Sequence, residues 1–222
     1  MTDRWVLEFT SFLPGHGCLG LDRSALKELH FITPIDNLPS ILRDGILSHR
    51  LAASRPHVSI AMPEVQAIRA AVKVPDGSKN GRPLHTYANL YLDARNPMMF
   101  VRKAEHESTC VLCIDPLVAD MPGVMVADGN AGSRGGYTLF SPYPSGLRSL
   151  DADMVFAKYW TDDDYFAYCE RKRKRCAEIL VPDRVPPEYI VAVRVSGPAG
   201  QGKVAAIASR LTVHIDPYVF FR

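Results

Sequence analysis

Long apolar runs are missing from this chain. No stretch of about 18 uncharged apolar residues occurs, so no transmembrane helix is expected. The opening Met1, Thr2, Asp3, Arg4 and Trp5 lack the basic-then-apolar layout of a secretory signal. Net charge is only +2, too small to name a partner; where the charges cluster matters more. Cysteine is scarce and odd in number, with five residues at Cys18, Cys110, Cys113, Cys169 and Cys176. That is no disulfide framework, and a reducing cytoplasm with no membrane contact is the expected setting. Cys110 and Cys113 have the gap of a zinc half-site, but Cys169 and Cys176 are too far apart to complete one. The first pair also lies in an apolar, strand-like run, so buried reduced thiols and no metal are expected.

Familiar signatures are absent as well. Neither H-E-x-x-H nor G-x-S-x-G occurs, and the seven histidines lack ligand spacing. The glycines at 15, 17 and 20 follow Pro14 with no βαβ unit around them. Lys203 of a P-loop-like string is followed by Val204, where a hydroxyl residue is needed. The common metal and nucleotide chemistries are therefore unsupported.

What is present is 222 residues, 47% apolar and 23% charged, ample for a real core. No repeat, linker or composition break divides the chain, so one domain over residues 1–222 is the economical reading, with residues 1–25 an irregular lead-in. Residues 29–33 read as a strand stopped by Pro34, and a helix follows, capped by Asp36 or Asn37 and ended by Gly45. Pro63 opens a second helix that carries Arg69. Strands follow near residues 88–92, 110–114 and 123–127, with residues 98–101 an apolar continuation after the first of them. Residues 131–143 read as a long exposed loop, and residues 151–159 as a short helix. Asp162, Asp163 and Asp164 cap a helix running to about Arg175. Strong β runs at 189–195 and 211–215 close the chain. Short strands without βαβα alternation argue for an α+β fold.

One stretch stands out. Five cations, Arg171, Lys172, Arg173, Lys174 and Arg175, lead into an apolar run, residues 176–181, that contains Glu178. Spacing alone leaves Glu178 either a surface or satisfied strand carboxylate or a catalytic acid beside an anion-binding patch. Arg69 likewise reads as a solvated helix arginine or as a functional one.

Three separated pieces carry a resemblance: residues 29–48, residues 65–69 with 84–98, and residues 174–182. The Tyr strand ending in Arg95-Asn96-Pro97-Met98 is the most specific of them. In order and spacing the chain resembles the DarT toxins, which are DNA ADP-ribosyltransferases. That resemblance implies a split, bent β core with NAD⁺ in its cleft and transfer of ADP-ribose to a base of single-stranded DNA, thymine or guanine. It places the catalytic arginine on Arg69 and the catalytic glutamate on Glu178. NAD⁺ contacts are implied at His30, Phe31, Ile32, Thr33, Ser40, Ser48, Arg69 and Tyr91, with residues of about 53–71 forming the NAD-binding element. Where the family reads Tyr-His-Ile-Thr, this chain has His30-Phe31-Ile32-Thr33, which leaves either the His30 ring or the Phe31 backbone as the contact. Residues of about 137–178 would read DNA, through Tyr137, Arg171, Arg173 and Arg175, with Phe140 and Tyr143 able to stack on bases. A cognate antitoxin that removes the modification is implied as partner. Loss of nicotinamide leaves positive charge on the ribose, which a carboxylate beside it stabilises. The alternatives are the same fold acting on RNA or protein, or a catalytically dead nucleic-acid-binding module.

Overall fold

The computed structural model describes residues 20–133 and 138–222. Tyr137 and most of the 1–25 lead-in lie outside the described residues. Eight strands form one sheet in the order Thr212–Ile215, Ile190–Val195, Thr109–Ile114, Leu29–Pro34, Tyr87–Tyr91, Glu178–Pro182, Met125–Ala127, Phe140–Pro142. The first two are parallel and every other neighbouring pair is antiparallel.

The sheet is nearly two sheets. Leu29–Pro34 pairs along its whole length with Thr109–Ile114. On its other side it meets Tyr87–Tyr91 at a single position, His30 opposite Tyr91. Two four-stranded halves therefore join at one residue row, the split core that the family resemblance implies. Thr109–Ile114 is buried at every position, which is why its sequence reads as a continuous apolar run rather than an alternation.

One face of the sheet carries Leu29, Leu90, Leu112, Ile179 and Val193 into the largest apolar cluster. Helix Leu38–Asp44 presses Leu38 and Ile41 onto it. Gly45 ends that helix at φ +86, and a Cβ there would stand 2.3 Å from the Val185 carbonyl oxygen, so only glycine fits. The opposite face holds Ile32, Val111, Met99 and Phe220 near the seam, and Met125, Ala127 and Leu180 further along.

Most caps sit where the sequence puts them. Pro63 opens helix Pro63–Ala71. Asp164 accepts from the Ala167 N–H to start helix Tyr165–Lys174. Four segments differ. Residues 98–101, read only as an apolar continuation, belong to helix Pro97–Val101, because Asn96 caps it and Pro97 suits its first turn. The P-loop-like string lies within helix Pro198–Ile207. Ser48, read as extended, caps the short helix His49–Ala52. Part of the loop at 131–143 is the edge strand Phe140–Pro142. Among the described residues, no helix is long and apolar enough to cross a membrane.

Candidate active site

Glu178 begins its strand and pairs with Tyr91 on one side and Ala127 on the other. Tyr91 in turn opposes His30. Directly opposed residues share a face, so His30, Tyr91 and Glu178 form one row across the seam between the half-sheets.

Arg69 meets that row from helix Pro63–Ala71. Its Nη1 donates to Glu178 Oε1 and its Nη2 to Oε2, both at 2.9 Å. The two side chains are 9% and 1% exposed. A planar fork on a carboxylate is the strongest geometry available to this pair. Burial pulls the guanidinium toward neutrality, but the charge and hydrogen bonds of Glu178 outweigh it, and Arg69 is held above its ordinary pKa. Burial, and then the Glu178 charge, raises the Tyr91 phenol, which stays neutral.

Gly132 closes the far side of the arginine stem, and sequence reading passed over it as part of the long loop at 131–143. A Cβ there would stand 2.6 Å from Arg69 Cγ and 3.0 Å from Val65 Cγ1. His49 and His85 were also missed. Their rings stack at 4.0 Å, and the ring nitrogen Nε2 of His85 lies 3.1 Å from Gln66 Oε1, one turn before Arg69. Burial first, and Arg69 among the nearby charges, lowers the pKa of both rings. Thirty-six residues apart, they carry no local signal of a pair, although His85 falls inside the 84–98 piece that carries the family resemblance.

The residues expected to bind NAD⁺ divide into groups. His30 and Tyr91 lie in the Glu178 row. His30 Nε2 sits 2.9 Å from Glu28 Oε1, while its buried Nδ1 has no hydrogen-bond partner among the described residues. Burial alone would raise the Glu28 carboxyl, but hydrogen bonds from His30 and Arg194 bring it down to about 2. Phe31 packs toward the main core and Ile32 toward the opposite face. Thr33 Oγ1 accepts from Asn37 Nδ2 at 3.1 Å. Ser40 donates to the Asn37 carbonyl, and Ser48 Oγ accepts from the Leu51 N–H.

Asn37, unremarked as anything but a cap, ties two parts of this region together. It makes no capping bond. Its amide instead donates to the Val58 carbonyl at 2.8 Å and accepts from the Val58 N–H at 2.9 Å. The 53–62 segment is thus pinned to the first strand. Replacing Asn37 by Ala removes three hydrogen bonds at a buried position and is expected to cost about 1–3 kcal/mol. The matching local effect is faster amide exchange at Val58; unchanged protection there would contradict the tie.

The cations at 171–175 are not one patch. Successive helix residues turn by about 100° each, so five in a row wrap past a full turn and cannot share a face. Arg171 is part-exposed and pairs with Asp162 at 2.8 Å. Arg173 and Arg175, expected to face DNA, are instead 7% and 2% exposed. Arg173 forks onto Asp128 and Glu170. Arg175 donates to the carbonyls of Ala157, Val155 and Arg95 and to Asp93. The exposed aromatics of that helix are Tyr165 and Phe166, at 70% and 80%; Phe140 and Tyr143 pack against apolar clusters.

Among the described residues no group of three or more His, Cys, Asp or Glu could hold a metal ion. Cys110 and Cys113 sit three apart on one strand, which points their thiols to opposite faces. Burial raises both, Cys113 to about 12. The shallow surface cleft bounded by Pro75, Met121 and Pro142 includes neither Arg69 nor Glu178.

The sequence and fold have counterparts. The chain is 32% identical over 201 residues to a DNA ADP-ribosyl transferase–DNA ADP-ribosyl glycohydrolase fusion protein of Thermosipho africanus (strain H17ap60334), over 88% of this chain and 50% of that relative. The chain thus spans about half the length of the fusion. The structure of Thermosipho africanus DarTG in complex with ADP-ribose aligns with a TM-score of 0.70 at 29% identity, over 87% of this chain and 51% of that one. Thermus sp. 2.9 DarT in complex with ADP-ribosylated single-stranded DNA aligns with a TM-score of 0.75 at 26% identity, over 87% and 96% of the two chains. The family model described as ssDNA thymidine ADP-ribosyltransferase, DarT, matches residues 30–221. With a family match over most of its length and a relative 32% identical across 88% of it, the chain belongs to the DarT family.

Proposed function

We propose that this protein transfers ADP-ribose from NAD⁺ to a base of single-stranded DNA, thymine on the family's description, with Arg69 and Glu178 carrying the reaction. The observation that carries the reading is the buried Arg69–Glu178 fork at the junction of the half-sheets. A dry arginine–carboxylate pair is costly to maintain for stability alone, and catalytic centres are where such costs recur.

The residues fit the dinucleotide. A buried carboxylate and the partnerless Nδ1 of His30 share one row, with the neutral phenol of Tyr91 between them. Bound NAD⁺ would supply the electrophilic ribose carbon. Glu178 can accept from the ribose 2′-hydroxyl while still held by Arg69, since each carboxylate oxygen has two lone pairs. Its charge then faces the positive charge that grows as nicotinamide departs. Arg69 keeps its proton, so its work is to aim the carboxylate and to donate to the diphosphate or the acceptor base.

In this reading, residues 53–71 cover NAD⁺, with Asn37 holding Val58, and residues 137–178 read the DNA. The protein acts as a cytoplasmic toxin. A partner with DNA ADP-ribosyl glycohydrolase activity, the second half of the fusion relative, would remove the modification.

The test is an acceptor panel with NAD⁺ labelled in its ADP-ribose portion. Label is expected on single-stranded oligonucleotides and not on duplex DNA, RNA or added protein. Label on RNA or protein alone would replace the acceptor; intact NAD⁺ with every acceptor would overturn the reading.

A further inference from the structure

Arg173 and Arg69 grip the same loop from opposite sides. On one side, Arg173 Nη1 and Nη2 donate to the Asp128 carboxylate at 2.8 and 3.1 Å. The Arg173 carbonyl also accepts from the Asn130 N–H at 2.9 Å. Between these two contacts lies Gly129, where a Cβ would stand 2.5 Å from Arg173 Nη1. On the other side, Gly132 packs against the Arg69 stem, with 2.6 Å from a Cβ to Cγ. Within the loop, Asn130 Oδ1 accepts from the Gly132 N–H at 2.8 Å. A continuous path therefore runs from the Arg173 guanidinium through Asp128, Asn130 and Gly132 to Arg69. Each arginine meets the loop at a glycine, because any side chain would push the two apart.

Glu170 completes the grip. It takes Arg173 Nε and Nη2 at 2.8 Å each, so two carboxylates take four of the five guanidinium donors and fix its plane. Arg173 is 7% exposed and spends its fork on carboxylates rather than on a phosphate.

We propose that Arg173 is a positioning residue for the reaction: by clamping the 128–132 loop it sets the backstop against which Arg69 holds Glu178. The inference rests on the catalytic reading of that pair. A shift of the backstop changes how the fork meets Glu178 without touching the substrate, and misplacement of about 1 Å in such a site costs on the order of 10²-fold in rate.

Two variants test it in the full-length protein. Arg173→Met removes the clamp at similar volume, and Gly132→Ala pushes the Arg69 stem directly while keeping every charged residue in place in the sequence. Both are expected to lower kcat for transfer at least about tenfold per folded molecule, with KM for the oligonucleotide and for NAD⁺ little changed. A DNA contact would instead raise KM for the oligonucleotide, and a merely structural role would lower stability and leave kcat per folded molecule intact; either pattern overturns the proposal. If Arg173→Met does not fold, Gly132→Ala decides alone, and wild-type kcat in it is contradictory. A second readout needs no activity. In protein labelled with ¹⁵N-arginine, the Arg69 guanidinium signal, assigned by its loss in Arg69→Lys, is expected to shift in both variants. An unmoved signal would overturn the clamp even if transfer itself is absent, whereas a shifted signal in a chain without transfer faults the catalytic reading alone.

Discussion

Replacing Glu178 by Gln is expected to abolish transfer and to destabilise the protein at once. The amide keeps the shape and can still accept a hydrogen bond, but the charge that opposes the ribose cation is gone. Loss of one preorganised electrostatic contact costs about 10² to 10³ in rate, and here the lost group carries a full charge, so a fall of at least about 10³ is expected. The stability effect has a separate cause. Arg69 is 7% exposed and both ends of its fork go to Glu178. Without the carboxylate it is an uncompensated buried cation, and breaking such a pair costs about 3–5 kcal/mol. The two effects come apart in a double variant. Arg69→Met with Glu178→Gln removes both charges at similar volume and is expected to regain most of the lost stability in urea unfolding, while transfer stays undetectable. A double variant no more stable than either single one would contradict the buried-pair account.

Arg175→Met should bring the largest loss of stability among the cations that precede Glu178. Its guanidinium joins three carbonyls and one carboxylate, tying the segment after helix Ala152–Val155 to the turn at Asp93 and Arg95. Removing it strands several buried acceptors, each costing about 1–3 kcal/mol if water cannot reach it. A total of roughly 3–5 kcal/mol is expected, allowing for partial hydration. Arg175→Lys should recover little, because one ammonium cannot reproduce a planar fork. Urea unfolding gives the comparison; a loss below about 1 kcal/mol in Arg175→Met would mean that water replaces the guanidinium.

These two arginines show where sequence reading reached its limit. A run of five cations announces a basic patch only if all face one way, and helical geometry turns Arg173 and Arg175 inward. Their partners, Asp128 and Asp93, lie 45 and 82 residues away, beyond any local pattern. Glu178 and Arg69 were ambiguous for the same reason. Spacing cannot say that two charges 109 residues apart meet in a dry junction; the family resemblance could, because it carries the tertiary answer within its motifs. What was legible was local: the strand stopped by Pro34, the helix ended by Gly45, the helix opened by Pro63, the acid that caps Tyr165–Lys174. Asn96-Pro97 misled because Asn before Pro caps a helix as readily as it stops a strand. Gly129 reads as a turn residue and Gly132 as part of an exposed loop, whereas the reason for each is the close approach of an arginine.

The resulting picture is of one face of a split sheet on which His30, Tyr91 and Glu178 stand in a row, with Arg69 laid across the end. Everything chemical follows from whether that row handles ADP-ribose. The most direct measurement is mass spectrometry of nucleosides released from a single-stranded oligonucleotide incubated with NAD⁺ and the wild-type protein, beside Glu178→Gln. The account predicts a nucleoside, thymidine on the family's description, heavier by one ADP-ribose with the wild type, and unmodified DNA with the variant. Equal modification by both proteins, or none with the wild type, would contradict it.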